Sequence, residues 1–143
     1  MNTRELQIRL AQDGCNPGLY AVGVRGSASN AFCLTHNGVE WQVYYTERGV
    51  NQAPMFTSPS EEDACAYFYN LMSSIRHEHC VGIFRSEDAA RALEDRLDQL
   101  GIASRRNDFP YGGPDDRRYR VFVEGKAIFA VRAAFPVVPL RDG

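Results

Sequence analysis

One stretch, residues 31–49 (AFCLTHNGVEWQVYYTERG), constrains the fold more than any other. Phe32 and Leu34 lead into Asn37-Gly38, and Trp41, Val43 and Tyr45 lead out. Asn-Gly favours positive φ at both central residues of a type I′ turn, so the stretch reads as a β-hairpin. Side chains alternate along a strand. Trp41, Val43 and Tyr45 therefore share one face, and Gln42, Tyr44 and Thr46 share the other. This places the only tryptophan for a core, with Tyr44 on the opposite face.

Helix signals flank this hairpin. Asn2 with Glu5 three residues on forms a capping box, and Leu6 and Leu10 make one face. The helix is expected to end near Asp13-Gly14, with a break at Asn16-Pro17-Gly18. Residues 19–24 read as a strand, 26–30 as a small polar loop and 48–54 as a second loop. Met55-Phe56 adds a short strand. Ser60 with Asp63, or Ser58 with Pro59, starts a second helix. Its stripe is Ala64, Cys65, Phe68, Leu71, Met72 and Ile75. Glu61, Glu62 and Asp63 suit the positive end of its dipole.

The same grammar recurs. Residues 79–84 read as a strand, Ser86 as a cap, and Glu87 and Asp88 as an acidic first turn. Ala90, Leu93, Leu97 and Leu100 form the next stripe, stopped by Gly101. Residues 102–106 suggest a strand and 109–116 (FPYGGPDD) a turn-rich loop. Tyr119, Val121 and Val123 alternate with Arg120, Phe122 and Glu124, as in a strand with one face inward. Periodicity leaves 127–135 open between strand and helix. Residues 135–139 are extended, and the tail beyond them is expected to be loose. The fold class implied is α+β. A mainly antiparallel sheet carries helices packed on one face, in two similar small halves, 1–76 and 77–143.

Composition bounds the function classes. Hydrophobic content of 44% and charged content of 24% are globular values. No apolar run approaches the roughly 20 residues needed to cross a bilayer. The charged N-terminus lacks a signal-peptide apolar core, so a cytoplasmic location is expected. Cys15, Cys33, Cys65 and Cys80 are widely spaced without a Cys-x-x-Cys, which suits buried reduced thiols. The net charge of −2 is unevenly spread: residues 61–98 carry −5 and residues 99–143 carry +3. His77, His79 and Cys80 have metal-ligand chemistry, but no second cluster follows at a family spacing, so no metal is expected. No Gly-x-Ser-x-Gly, phosphate loop or dinucleotide fingerprint occurs. Catalytic residues and cofactors are therefore not expected. Arg105, Arg106, Arg117, Arg118 and Arg120 can converge on one hairpin with Phe109, Tyr111 and Tyr119. Arginine beside aromatics is the composition of a single-strand nucleic-acid surface. Asp108, Asp115 and Asp116 interleave with it and argue for a merely soluble hairpin.

Residues 19–72 carry AFCL, EWQVYYTERG, Phe56-x-Ser and the run Glu62-Asp63-Ala64-Cys65-Ala66-Tyr67-Phe68-Tyr69. In these the chain resembles small immunity proteins of bacterial polymorphic toxin systems, delivered by contact-dependent or type VI secretion. The resemblance covers about the first half. It implies a non-catalytic cytoplasmic protein that binds one cognate toxin domain and blocks its active site. Nucleic acid, small molecules and membranes are then not expected partners. Aromatic and arginine anchors dominate such interfaces. The candidate contacts are Tyr44, Glu47, Arg48, Tyr67 and Tyr69 in the first half and Tyr111 in the second. Phe68 lies between Tyr67 and Tyr69, so each also has a core reading. The alternatives are a nucleic-acid or other binding module using the arginine-rich half, and a metal-dependent enzyme at His77, His79 and Cys80.

Overall fold

A computed structural model describes residues 1–23 and 30–142. The chain divides into two compact units, Met1–Arg76 and His77–Gly143. Its architecture is α+β, built from four helices and two mixed, mainly antiparallel sheets among the described residues.

In the first unit, Asn2 opens α1 (Thr3–Gln12) and accepts a hydrogen bond from the Glu5 N–H at 2.8 Å. Strands β1 (Tyr20–Val22), β2 (Ala31–His36), β3 (Trp41–Glu47) and β4 (Val50–Asn51) lie in that order, and β5 (Phe56–Ser58) also pairs with β3. β1 is parallel to β2, and the other pairings are antiparallel. Helix α2 (Glu61–Ser73) starts at the first of the two expected caps: the Ser60 hydroxyl accepts from the Asp63 N–H at 3.1 Å. The Ser58 hydroxyl instead accepts from the Ser60 N–H. Leu6 and Leu10 of α1 and Ala64, Cys65, Phe68 and Met72 of α2 are buried in one core with Leu34 and Val43 of the sheet. Both helices thus cover one face of it.

The hairpin forms, but its details differ from the expectation. His36 pairs with Trp41, so the connection is the four-residue loop Asn37 to Glu40. Asn37 does not take positive φ. Its side-chain oxygen accepts from the N–H groups of Val39 and Glu40, each at 2.9 Å. The side chain of asparagine can close a turn itself, and here that outcompetes the left-handed backbone. Type I′ geometry appears instead at Arg48-Gly49 between β3 and β4, where both residues have positive φ. The face assignment also changes. Val43 is fully buried, whereas Trp41 is only half-buried, its ring against His36 at 4.9 Å. Tyr44, Thr46, Cys33 and Ala31 on the other face are buried too. Alternation predicts one wet face; these two strands have none over that span. The strand expected over 19–24 is reduced to β1, after a single 3-10 turn at Pro17–Leu19. Val24 and residues 26–29 of the loop expected over 26–30 lie outside the described residues.

In the second unit the sheet order is β7 (Arg105–Pro110), β8 (Arg117–Glu124), β6 (Glu78–Phe84), β9 (Leu140–Arg141). Ser86 caps α3 (Glu87–Gln99), accepting from the Ala89 N–H at 3.2 Å. Leu93 and Leu97 of α3 share a core with Val81, Val121 and Val123 of the sheet. The stretch left open by periodicity is helical: α4 (Ala127–Ala134) buries Ile128 and Val131 in the same core. Both helices therefore sit on one face of this sheet. β7 begins three residues later than expected and runs through Phe109 and Pro110, so the loop shrinks to residues 111–116. The tail is not loose. β9 pairs in parallel with β6, and Asp142 accepts from the N–H groups of Arg85 and Ser86 at 2.7 and 2.9 Å. A two-residue strand is too short to leave a pattern in sequence.

Candidate functional site

Of the six residues expected to bind a partner, five lie in the first unit and Tyr111 in the second. Tyr44 is buried, 7% exposed, with its hydroxyl 3.4 Å from that of Thr35, so it is a core residue and cannot be an exposed anchor. Tyr67 is half-buried, its ring stacked on Phe56 with centroids 4.3 Å apart. Tyr69 donates a short hydrogen bond to Asp13, and Arg9 lies over its ring at 4.5 Å. The hydrogen bond to Asp13, aided by burial, raises the Tyr69 phenol above its ordinary pKa. These contacts tie α2 to the end of α1. Glu47 and Arg48 are exposed at the β3–β4 turn. Tyr111, in the second unit, is 65% exposed.

His77, immediately before β6, and His79, within it, are both buried. Cys80 projects from the opposite face, opposite Phe122, its thiol pushed above the ordinary pKa by burial. Two-residue periodicity separates the thiol from His79. Among the described residues, no group of three His, Cys, Asp or Glu could hold a metal ion.

The structure does assemble one ordered surface, on the face of the second sheet turned away from α3 and α4. Val121 and Val123 point to the helices, so Arg118, Arg120 and Phe122 point the other way. Pairing places Arg105 opposite Phe122, Asn107 opposite Arg120 and Phe109 opposite Arg118. The side chains interleave. The Arg105 guanidinium lies 5.0 Å from the Phe122 ring; that of Arg120 lies 5.3 Å from Phe122 and 4.3 Å from Phe109. Phe109 meets Tyr111 edge-on, and Arg118 lies 4.3 Å over Tyr111. The order across the face is Arg105, Phe122, Arg120, Phe109, Tyr111, Arg118. Polar contacts fix it further: Arg105 to Glu78 at 2.8 Å, Arg120 to Asn107 at 3.1 Å and Arg118 to Asp116 at 2.5 Å.

No protein-family model, curated protein or solved structure matches the chain.

The arginine cluster expected to converge is thus split. Arg106 turns to α3, 3.3 Å from Glu94 and 3.6 Å from Glu87, and Arg117 pairs with Asp108 at 2.6 Å. Tyr119 follows the parity of Val121 and packs against the core. Phe122, absent from the expected cluster, sits at the centre of the ladder. Its position was contained in the alternation with Val121 and Val123, which assigns Phe122 and Arg120 to one face. Chemically, the surface offers planar cations held between aromatic rings, suited to carboxylates, phosphates and flat apolar groups.

Proposed function

We propose that this protein is a binding module that neutralises a cognate secreted toxin domain by covering its active site, and that the arginine–aromatic face of the second unit makes the contact. The observation that carries the proposed contact is the six-residue ladder from Arg105 to Arg118. Arginine and aromatic side chains dominate the energy of protein interfaces. Guanidiniums already seated against rings lose less rotamer freedom on contact than free ones. The resemblance supports neutralisation. It lies in residues 19–72, whereas the proposed surface lies in the second unit, so each part has its own test.

Neutralisation is tested by co-expression with the product of the neighbouring gene. The expected result is co-purification of the two chains and survival of cells making the toxin domain. Failure of every neighbouring gene product to bind defeats the reading. The surface is tested by Arg105→Ala with Arg120→Ala, both on the ladder and neither in the core. The pair should weaken capture about 30-fold or more, the loss of one hot spot of about 2 kcal/mol. Unchanged capture by the double variant moves the contact elsewhere.

The same ladder favours a second reading, a platform for single-stranded nucleic acid, because bases stack on such rings while arginines follow the backbone. It predicts salt-sensitive binding, weakened by Arg105→Ala with Arg118→Ala. The acids bound to Arg105 and Arg118, Glu78 and Asp116, oppose it. No mobility shift at low salt with micromolar protein removes it.

A further inference from the structure

One end of the ladder borders a cavity of about 210 Å³ lined by Ile83, Arg85, Tyr111, Arg118, Arg141 and Asp142. Three of its six lining residues are arginines from different elements: the β6–α3 turn, β8 and β9. They converge because β9 pairs beside β6, opposing Ile83 to Arg141. Arg118 is the fixed member, its side chain 11% exposed. It lies over Tyr111, and its hydrogen bonds to Asp116 and to the Arg117 carbonyl both leave from Nη1. Asp142 is seated on two adjacent N–H groups, those of Arg85 and Ser86, at 2.7 and 2.9 Å. The chain thus already fits an oxyanion against this turn. One internal carboxylate does not balance three guanidiniums, and Asp116 engages only one nitrogen of one of them. The volume suits a single oxyanion group with an adjoining flat substituent against Tyr111.

We infer that this cavity is a binding site for a phosphate-type oxyanion, held by Arg85, Arg118 and Arg141 beside the Tyr111 ring. Guanidiniums present paired donors to phosphate, and a phosphate carrying nearly two negative charges answers the excess of arginine. This inference stands apart from toxin neutralisation, since the ligand is bound by the chain alone.

The test is titration of the full-length isotope-labelled protein with sodium phosphate and with phenyl phosphate, at ionic strength held constant with sodium chloride. Backbone amide signals of Ile83, Arg85, Tyr111 and Arg141 should shift and saturate with either probe. Tighter binding of phenyl phosphate identifies a phosphomonoester as the ligand class; equal binding identifies the phosphate group alone. Arg85→Gln with Arg141→Gln changes two exposed side chains, so the fold should survive. It should weaken the apparent affinity about tenfold or more, as expected for lost charge-assisted contacts. Equal shifts with chloride alone, a linear response without saturation, or unchanged affinity in the double variant would overturn the inference.

Discussion

Gly82 sits where β6 departs from a regular strand, and replacing it by alanine tests the packing of the second unit. Cys80 opposes Phe122 and Gly82 opposes Val121, which leaves Val81 as the extra residue of a bulge. Val81 is fully buried in the helix-covered core, and Gly82 shares the side of its partner Val121, so two successive residues lean toward α3. There is room for only one side chain. A Cβ on Gly82 would lie 2.6 Å from Leu93 Cδ2 and 2.6 Å from Phe84 Cε2. Leu93 is 2% and Phe84 5% exposed, so neither can swing into solvent. Overpacking of this kind costs about 1–3 kcal/mol. For a unit of this size that lowers Tm by about 4–8 °C per kcal/mol. The only tryptophan lies in the first unit, so hydrogen exchange of the β6 and β8 amides is the assay. Leu93→Ala alone should cost about 2–5 kcal/mol. Combined with it, Gly82→Ala should cost less than it does alone, a coupling of about 0.5–3 kcal/mol. Parent-like protection in Gly82→Ala, or simple additivity with Leu93→Ala, would refute this account of the bulge.

Trp41→Ala should destabilise by about 1–3 kcal/mol in a thermal melt, because the ring is half-buried; a fully buried Trp would cost about 3–5 kcal/mol. Burial, with the nearby Glu61 carboxylate, pushes the Cys65 thiol up to about 11. At pH 8 it should therefore resist iodoacetamide in the folded protein and react once urea unfolds it, as mass spectrometry would show. Rapid labelling of folded protein at Cys65 would contradict its placement. Burial alone would raise the Asp142 carboxyl, but the Arg85 and Ser86 N–H groups hold it below the ordinary range. A lowered carboxyl pKa contributes stability above the unfolded value, lost as pH falls through the folded one. Acidification below about pH 4 should thus lower the protection of the Leu140 and Arg141 amides, measured relative to the intrinsic exchange rate at each pH. Asp142→Asn should show fast exchange already at neutral pH, and parent-like exchange there would exclude the clasp.

What was legible in the chain was local chemistry. Asn2, Ser60 and Ser86 each cap the helix that follows, because a cap needs only a short side chain and an N–H two or three residues away. What was not legible depended on a second partner. Asn37-Gly38 carries the composition of a type I′ turn, yet Asn37 closes a longer loop with its own side chain, a choice that propensity does not distinguish. Tyr44 was expected away from the core because alternation assumes a sheet covered on one side. Residues 127–135 are apolar at spacings that fit both periods, and packing of Ile128 and Val131 under the sheet decided for helix. The bulge in β6 left one trace, a glycine inside an apolar strand.

The candidate site divides along the same line. Five arginines close in sequence invite the picture of one basic patch. Strand parity splits them, sending Arg106 and Arg117 to one side and Arg105, Arg118 and Arg120 to the other. On the helix side, Arg106 is spent on Glu94 and Glu87 and contributes to holding β7 against α3. On the ladder side, each guanidinium has at least one aromatic face beside it and one polar contact fixing its plane. Net charge is therefore a poor guide to this surface, which is nearly balanced once Glu78 and Asp116 are counted. Its distinguishing property is order: side chains that ordinarily lose about 2 kcal/mol of rotamer freedom when immobilised are each seated against a ring and a polar partner. A partner that meets this face gains their hydrogen bonds without most of that cost. A ladder on a rigid sheet can therefore act as a recognition surface, whereas the same arginines on a loose loop would serve mainly for solubility.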